Sequence, residues 1–207
     1  MSGCQKQDVS ADAPVVAEPL APIPLLVDAR SFDGIGEFLE LPNQDDLNVE
    51  TGDFSLSFWI KTDVRSGIQV IVDKRVETSG PVKGYVVANY NGQLLLQLAD
   101  GLGKEWTNYI SSVAIADNQW HHVVITVDRQ AEAGIRWYLD GREAGEPANP
   151  KGRPQSLSNS QPLTIGRRSD HPSWPGYFQG QLAQIYLFQT VLTPEQVQQR
   201  MSQLQGS

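Results

Sequence analysis

The sequence is poor in several residue types, and each shortage excludes a class of protein. It has one cysteine in 207 residues, so neither an internal disulfide nor a multi-cysteine metal site can form. No stretch approaches the roughly 18–20 apolar residues that a membrane-spanning helix needs. Lysine and arginine number 16 against 24 aspartates and glutamates, for a net charge of −8. Because nucleic-acid binding relies on a basic surface that neutralises phosphates, we exclude nucleic acid as a partner.

Histidine is also scarce, with three residues in the chain. His121 and His122 are adjacent in a strand-like run, where neighbouring side chains point to opposite faces. Tetrahedral zinc needs about four converging ligands, and the third histidine, His171, stands far along the chain. We therefore predict no metal site. The pair is expected to be structural, with a histidine bonded to a backbone carbonyl beside a buried Trp120.

The one cysteine is Cys4, in the opening "MSGC". Ser2 and Gly3 before it resemble the end of a bacterial lipoprotein signal, in which small residues precede the lipid-bearing cysteine. The Pro- and Ala-rich segment that follows favours an extended tether, residues 1–24. We predict an exported cell-envelope protein that is lipidated at Cys4 and meets the membrane only through this anchor. Gln5 stands where inner-membrane lipoproteins often carry Asp, which favours the outer membrane. An incidental thiol in a frayed terminus is the alternative.

Short strand-like segments separated by turn residues occupy the rest of the chain. "DFSLSFWIKT" places Phe54, Leu56, Phe58 and Ile60 on one face. Further segments are rich in Val, Ile, Leu and aromatics: "GIQVIVDK", "KGYVVANY", "GQLLLQLAD", "WHHVVITVDR", "GIRWYLDG", "PLTIGR" and "FQGQLAQIYLF". Repeated short strands without a helical period between them predict an antiparallel sandwich.

Turn and helix signals fit this pattern. Asn91-Gly92 and Asp140-Gly141 are typical of two-residue hairpin turns. One short helix is predicted near the end, with Thr193 as N-cap, Pro194 at its first position and Gln196 at the capping-box position. We expect it to pack against a sheet edge.

The order of the motifs resembles a known family. The chain is similar to laminin-G-like, concanavalin A-like jelly-roll domains of bacterial surface proteins, which are related in shape to pentraxins. The resemblance implies an all-β, antiparallel two-sheet jelly roll over residues 25–207, with one convex and one concave sheet and a short C-terminal helix. It also implies ligands on the concave face or the rim loops. The motifs are "FDGIGEFLELP", "FSLSFWIKT", "WHHVVITVD", "YLDGREAGE", "LTIGRR" and "GYFQGQLAQIYLFQTVLTPEQV".

Calcium is one property of the family that this sequence puts in doubt. The family's last strand commonly carries one or two acids that help to hold a structural calcium ion. Ala183 and Gln184 stand in those places, and calcium prefers charged oxygen ligands. We predict no cofactor and leave a weakened calcium site open.

Catalysis is not predicted. Glycoside hydrolysis needs two carboxylates roughly 5–10 Å apart, and glucanase relatives supply them from one strand. Glu37 and Glu40 are three positions apart, on opposite faces, while basic residues separate Asp73 from Glu77. Lyase chemistry needs a base beside a charge-neutralising group, and no spacing singles one out.

Two aromatic, polar segments are the candidate ligand-binding loops, because aromatic rings stack on sugars. Prolines stiffen the first loop and reduce its ordering cost. Trp174 has the alternative role of capping a core edge. Trp59 could line the concave surface, but the resemblance to the family favours a packing role, and Trp137 is expected in the core. The candidates are Arg167, Arg168, Asp170, His171, Trp174 and Tyr177 in the first loop, and Asp100, Lys104 and Trp106 in the second.

Five basic residues give a further hypothesis, because their convergence would create a site for an anionic polysaccharide. Solvated loop charges are the alternative. The residues are Arg142, Lys151, Arg153, Arg167 and Arg168.

The function predicted from the sequence is a tethered, non-catalytic envelope module that binds a polysaccharide or a surface protein through rim loops. Two alternatives stay open: a structural subunit of an envelope assembly, and a glycan-active hydrolase or lyase of the same fold.

Overall fold

A computed structural model describes residues 21–102 and 106–204. Cys4, Lys104 and most of the predicted tether lie outside these residues. Over the described residues, no helix has the length and apolar character of a membrane-crossing segment. The strands, in chain order, are β1 (Ile23–Leu26), β2 (Arg30–Asp33), β3 (Leu39–Leu41), β4 (Phe54–Lys61), β5 (Ile68–Val76), β6 (Lys83–Tyr90), β7 (Gln93–Asp100), β8 (Thr107–Ala114), β9 (His121–Val127), β10 (Ile135–Leu139), β11 (Arg142–Glu143), β12 (Leu163–Ile165) and β13 (Gln179–Phe188). A single α-helix, α1 (Pro194–Leu204), follows them in the described chain.

The strands form two antiparallel sheets, which confirms the predicted all-β jelly-roll sandwich. One sheet has seven strands in the order β1-β13-β4-β9-β10-β11, with β2 also pairing with β13. The other has six strands in the order β3-β12-β5-β6-β7-β8. The main hydrophobic core lies between them and draws on both sheets.

Sequence alternation decides which side chains fill this core. Phe54, Leu56, Phe58 and Ile60 of β4 are all buried in it, as the alternation predicts. Trp137 of β10 is buried there too.

The two predicted hairpin turns are confirmed. Asn91 and Gly92 have φ angles of 53° and 84°, and Asp140 and Gly141 have angles of 49° and 76°. Positive φ at both central positions is what a type I′ turn requires, because its twist matches that of the flanking strands. These turns join β6 to β7 and β10 to β11.

The predicted capping box of α1 is present. The backbone N–H of Thr193 donates to Gln196 Oε1 at 2.9 Å, and the N–H of Gln196 donates to Thr193 Oγ1 at 3.3 Å. The expected packing against a sheet edge is confirmed, because α1 contacts β11, the edge strand of the seven-stranded sheet. Val197 also packs against the outer face of this sheet. It meets the buried side chains of Val124, Tyr138 and Phe188 there.

Several strands were not among the segments predicted from the sequence, namely β1, β2, β3 and β8. β8 mixes polar and apolar residues at its exposed positions, for example Asn108 and Ile110, so its alternation is a weak strand signal. β1 begins at Ile23, within the segment assigned to the tether, because Ile23 and Pro24 pair with β13.

Candidate binding site

The outer face of the six-stranded sheet, the face turned away from the core, carries the candidate site. Since Tyr85, Val87, Leu96 and Leu98 point into the core, their strand neighbours point outward. Strand register arranges the outward side chains in rows. Arg75, Gly84 and Ala99 form one row, Asp73, Val86, Gln97 and Asn108 the next, and Val70, Ala88, Leu95 and Ile110 a third.

A buried ion-pair triad lies at one end of this face. Glu77 Oε2 pairs with Arg75 Nη2, and Glu77 Oε1 accepts a hydrogen bond from Arg168 Nη1 at 2.8 Å. Arg75 Nη2 also lies 3.6 Å from Asp73 Oδ2. The Arg75 side chain is 2% exposed and that of Glu77 9%. Because these charges are shielded from water, each guanidinium depends on the carboxylate for its position.

Each arginine of the triad contacts an exposed tryptophan. The Arg75 guanidinium carbon lies 6.0 Å from the centroid of the Trp106 ring, and that of Arg168 lies 5.7 Å from the Trp174 ring. Trp106 is 41% exposed and Trp174 69%. We call Trp106, Arg75, Glu77, Arg168 and Trp174 the tryptophan–arginine surface. It joins the two loops that the sequence analysis proposed separately.

Asp170 fixes the loop that carries Trp174. Its carboxylate accepts hydrogen bonds from the backbone N–H groups of Glu77, Thr78 and Ser79 at 2.9, 2.9 and 2.8 Å. Burial alone would raise its pKa, but these bonds lower the pKa of Asp170 to about 2. Asp170 is therefore a structural clamp rather than a ligand-binding residue.

Two further backbone hydrogen bonds hold the same loop, one within the loop and one to the sheet. Arg168 N–H donates to the Pro175 carbonyl at 2.7 Å, and Val70 N–H of β5 donates to the Gly176 carbonyl at 2.8 Å. The ring of His171 lies 6.3 Å from that of Trp174. A loop held in this way loses little conformational entropy when a ligand binds.

Three candidates do not reach the tryptophan–arginine surface through their side chains. Asp100 continues the core-facing side of β7, where it is buried and pairs with Arg153 at 3.2 Å. Arg167 turns towards β3, with its guanidinium carbon 3.6 Å from the centroid of the Phe38 ring and Nη2 3.2 Å from Glu40 Oε2. Tyr177 is half-buried and does not share an ion pair or a ring contact with these residues in the described structure.

The five basic residues do not share an anion-binding surface, because four of them pair with four different carboxylates. The pairs are Lys151 with Glu132, Arg153 with Asp100, Arg167 with Glu40, and Arg168 with Glu77.

The adjacent histidines have separate partners. His122 is buried, its Nε2 lies 3.0 Å from Ser57 Oγ, and burial lowers its pKa to about 4. The expected carbonyl partner is therefore wrong, and so is the expected buried Trp120, which is exposed. His122 packs on Trp59 instead, with ring centroids 5.3 Å apart.

His121 points the other way. Its Nδ1 lies 2.9 Å from Asp140 Oδ2 and its Nε2 lies 3.1 Å from Asp117 Oδ1. Burial opposes protonation, but the hydrogen bonds to both carboxylates raise the pKa of His121. Nowhere in residues 21–102 and 106–204 do three or more His, Cys, Asp or Glu side chains group so that they could hold a metal ion.

Asp73 lies in β5 and Glu77 directly follows this strand, but Arg75 pairs with Glu77 and lies near Asp73, between the two acids. Asp73 is fully buried, and burial raises its pKa to about 6. A scissile bond cannot reach both carboxylates, so the pair does not meet the geometry of a glycosidase.

Sequence reasoning missed Arg75, Glu77, Gln97 and Asn108, all of which lie on the sheet side of the candidate site. One signal was available: Asp73, Arg75 and Glu77 place three charges at every second position after the apolar run of β5. Charges on one face of a buried strand predict an ionic cluster there.

Comparisons with known proteins agree with the fold. The family model Laminin_G_3, described as the concanavalin A-like lectin/glucanases superfamily, matches residues 33–198. The non-toxic nonhemagglutinin type A protein of Clostridium botulinum is 27% identical over 119 residues, which is 58% of this chain and 10% of that protein. The chain thus spans about a tenth of the length of the curated relatives it matches.

Solved structures with the same fold include toxin binding domains. The receptor-binding domain of botulinum neurotoxin C/D mosaic serotype matches with a TM-score of 0.64 and 13% identity, covering 88% of this chain and 46% of that one. The binding domain of Paraclostridial Mosquitocidal Protein 1 matches with a TM-score of 0.61 and 17% identity, covering 86% and 48%. The botulinum neurotoxin serotype D ligand-binding domain, in complex with N-acetylneuraminic acid, matches with a TM-score of 0.62 and 14% identity, covering 88% and 46%. At these identities the likeness shows the fold.

Proposed function

The chain belongs to the Laminin_G_3 family of the concanavalin A-like lectin/glucanases superfamily, and from that premise we propose that it is a non-catalytic module that binds a glycan on the tryptophan–arginine surface. A protein ligand on the same surface is the second candidate. Exposed Ile110 favours it, because this apolar side chain lies on the same outer face.

One observation carries the proposal: two exposed tryptophans from different loops are held by one buried Arg–Glu–Arg triad. An exposed indole ring offers a flat apolar face to the C–H face of a sugar. Trp174 and Trp106 keep that face accessible while the contacts of Arg168 and Arg75 restrict their motion. A preorganised aromatic pair is what a carbohydrate site needs.

Structural neighbours lend support of a general kind. One is the serotype D domain in complex with N-acetylneuraminic acid, and another is a botulinum neurotoxin DC binding domain in complex with rat synaptotagmin II. A third comes from botulinum neurotoxin type C, whose cell entry is described as dependent on interaction with two ganglioside molecules. This chain covers 46–47% of each of these three chains, so the support concerns the kind of ligand and not its position.

We further propose that the module is exported and tethered to the cell envelope through a lipid on Cys4, in an outer-membrane lipoprotein. The motif around Cys4 supports this. Labelled palmitate should enter the protein expressed from its precursor and be absent from the Cys4→Ala variant. Equal labelling of both proteins would refute the anchor.

Glycan-array binding of the full chain, followed by calorimetry on the best ligand, tests the binding role. Trp106→Ala and Trp174→Ala should each weaken binding by about 2 kcal/mol, or roughly thirtyfold, because each removes a stacking surface. Trp120→Ala is the matched control, since Trp120 is exposed but precedes β9 of the other sheet. Unchanged affinity in both variants would refute the site.

A constant protein partner in place of any glycan would favour the protein-binding or structural-subunit function. Release of oligosaccharides from a polymer would point to an enzyme.

A further inference from the structure

We propose that helix α1 is an acid-released cover: when His122 beneath it becomes protonated, α1 detaches more readily from the seven-stranded sheet and uncovers an aromatic face. This inference goes beyond the proposed glycan site, which lies on the other sheet. It depends on the position of α1 over His122, on polar atoms left unpaired beneath the helix, and on the charges that face the imidazole ring.

Helix α1 lies over the strands that carry and flank His122. His122 and Val124 are two residues apart in β9 and therefore share its outer face. Val197 of the helix is buried against Val124. The guanidinium carbon of Arg200 lies 4.7 Å from the centroid of the Tyr186 ring, and Tyr186 is in the same row as Val124, across β4. The helix thus contacts the strand of His122 and a strand beyond β4.

The polar atoms beneath α1 are poorly satisfied. His122 Nε2 lies 3.0 Å from Ser57 Oγ. Within the described residues, His122 Nδ1, Trp59 Nε1, and both Nε and Nη2 of Arg200 are buried without a hydrogen-bond partner. The rings of Trp59 and His122 are 5.3 Å apart on neighbouring strands. Each unpaired buried group weakens the docking of the helix, because water would satisfy that group in the detached state.

Two charged groups face His122, and they act in opposite directions. Asp140, in the turn between β10 and β11, accepts a hydrogen bond from the His122 backbone N–H at 2.9 Å and favours a positive imidazole. Arg200 of α1 opposes protonation, and none of the ion pairs in the described chain includes it. β4 contributes the neutral Ser57 and Trp59. Burial is the largest influence, and with Arg200 it lowers the pKa of His122 to about 4 despite Asp140.

Detachment of the helix removes the main causes of this lowered pKa. A solvated imidazole has a pKa near 6.5, so the detached state binds a proton more readily than the covered state. The equilibrium therefore moves towards detachment as the pH falls from about 6.5 to about 4, by at most about 300-fold. Well above this window His122 is neutral in both states, and the cover stays in place.

The face that α1 covers is rich in aromatic rings. The Arg200 guanidinium carbon lies 4.7 Å from the ring centroid of Tyr186 and 5.1 Å from that of Phe188. Trp59 lies on the same face, with its indole N–H unpaired. Aromatic rings beside available N–H donors are typical of ligand-binding surfaces. The docked helix keeps this face closed at neutral pH.

Hydrogen exchange of the full chain between about pH 4 and pH 7, corrected for intrinsic exchange rates, tests the inference. We expect the α1 amides from Val197 onwards to open about 100-fold more often at the lower pH. Amides of β6 and β7 should stay about tenfold or more better protected than those of α1 throughout. Equal protection of α1 and these strands would overturn the inference, because only global unfolding would then expose the helix. An opening of α1 that does not vary with pH would also overturn it.

Substitution of His122 assigns the pH effect to one group. His122→Gln keeps a side-chain nitrogen towards Ser57 but cannot be protonated, so the opening of α1 should vary less than about threefold across the range. His121→Gln is the matched control, since His121 bonds to Asp117 and Asp140 instead, and the effect of about 100-fold should remain. Persistence of the effect in a folded His122→Gln protein, or its loss in His121→Gln, would overturn the role of His122.

Arg200→Leu gives a second variant that leaves the sheet unchanged. The opening of α1 at about pH 4 should fall about threefold or more, because protonated His122 no longer faces a second positive charge and no guanidinium N–H is buried unpaired. Gln199→Leu is the control, on an exposed position of the same helix, and should leave the opening unchanged. Equal opening of the two variants would contradict the part given to Arg200.

Discussion

The outer faces of the two sheets differ in what covers them. Helix α1 covers the seven-stranded sheet, where Val197 is buried with Val124 and Phe188. On the six-stranded sheet, Trp106 and Trp174 remain exposed beside a buried triad of charges. The outward side chains of this second sheet are themselves buried, among them Val86 and Leu95. The comparison teaches that one outer face is covered by the apolar side of a helix, while the other carries exposed tryptophans at its margin.

The first prediction concerns the covered face and has the largest expected effect. Val197→Asp places an unpaired charge among buried apolar side chains and should lower the free energy of unfolding by about 4 kcal/mol. Denaturant unfolding measures this, with Gln199→Asp as the control, because Gln199 is exposed on the same helix. Glycan affinity of the folded Val197→Asp protein should be unchanged. A loss of affinity at constant fold would erase the distinction between the faces.

The second prediction addresses the triad on the other face. Glu77→Gln removes the carboxylate from two buried arginines and should cost about 3 kcal/mol of stability, together with glycan affinity, because both tryptophans lose their anchors. Glu143→Gln is the control, since Glu143 pairs with Arg136 in an exposed ion pair that is worth about 0–1 kcal/mol. Equal unfolding free energies of the two variants would contradict the anchoring role.

The third prediction uses pH, since the two faces hold buried groups of opposite response. His122 has its pKa lowered from 6.5 to about 4 by burial, so the unfolded chain binds a proton that the folded chain does not. The contribution of His122 to the free energy of unfolding therefore rises with pH between about pH 4 and pH 6.5. Asp73 has its pKa raised from 3.8 to about 6, chiefly by burial. The folded chain there keeps a proton that the unfolded chain has lost, so stability from Asp73 falls as pH rises.

These two slopes oppose each other between about pH 4 and pH 6. Asp73→Asn should remove the falling contribution, so that stability rises more steeply with pH than in the unsubstituted protein. At pH 7 the variant should be more stable by about 2 kcal/mol, because an ionised buried carboxylate is absent. Urea unfolding across this pH range measures both effects. An unchanged slope would show that Asp73 titrates normally.

The fourth prediction has the smallest effect. Asp170→Asn weakens the bonds that fix the Trp174 loop and should cost about 1 kcal/mol of binding free energy. It should also lower the free energy of unfolding at pH 7 by about 1 kcal/mol, once solvent screening is allowed for, because the lowered pKa of Asp170 shows that its ionised form stabilises the folded chain. Hydrogen exchange of Ser79 and Thr78 should quicken at the same time. Unchanged exchange would show that Asp170 does not hold the loop.

Local patterns were enough to predict much of the fold. Alternation in β4 placed Phe54 and Leu56 in the core, and Asn91-Gly92 marked a hairpin because only such residues adopt positive φ readily. The helix capping box was visible for the same reason, since its bonds join residues three apart.

The candidate site was only partly predictable, because it depends on register between strands. Trp106 and Trp174 stood out as aromatic loop residues. No local pattern indicates that Arg75 contacts Trp106 and that Arg168 contacts Trp174. Nor does one indicate that Glu77 pairs with both arginines. Asp100 was misassigned because it follows a strand whose core-facing alternation continues through it. Pairing between strands decides both where the arginines meet the tryptophans and which way Asp100 points.

The indole N–H signals of the five tryptophans test the central claim most directly. In a two-dimensional ¹H–¹⁵N NMR titration with the glycan that binds best, the signals of Trp106 and Trp174 should move together and saturate at one affinity, while those of Trp59, Trp120 and Trp137 stay in place. Movement confined to Trp59 or Trp120 would place the ligand elsewhere and contradict the account.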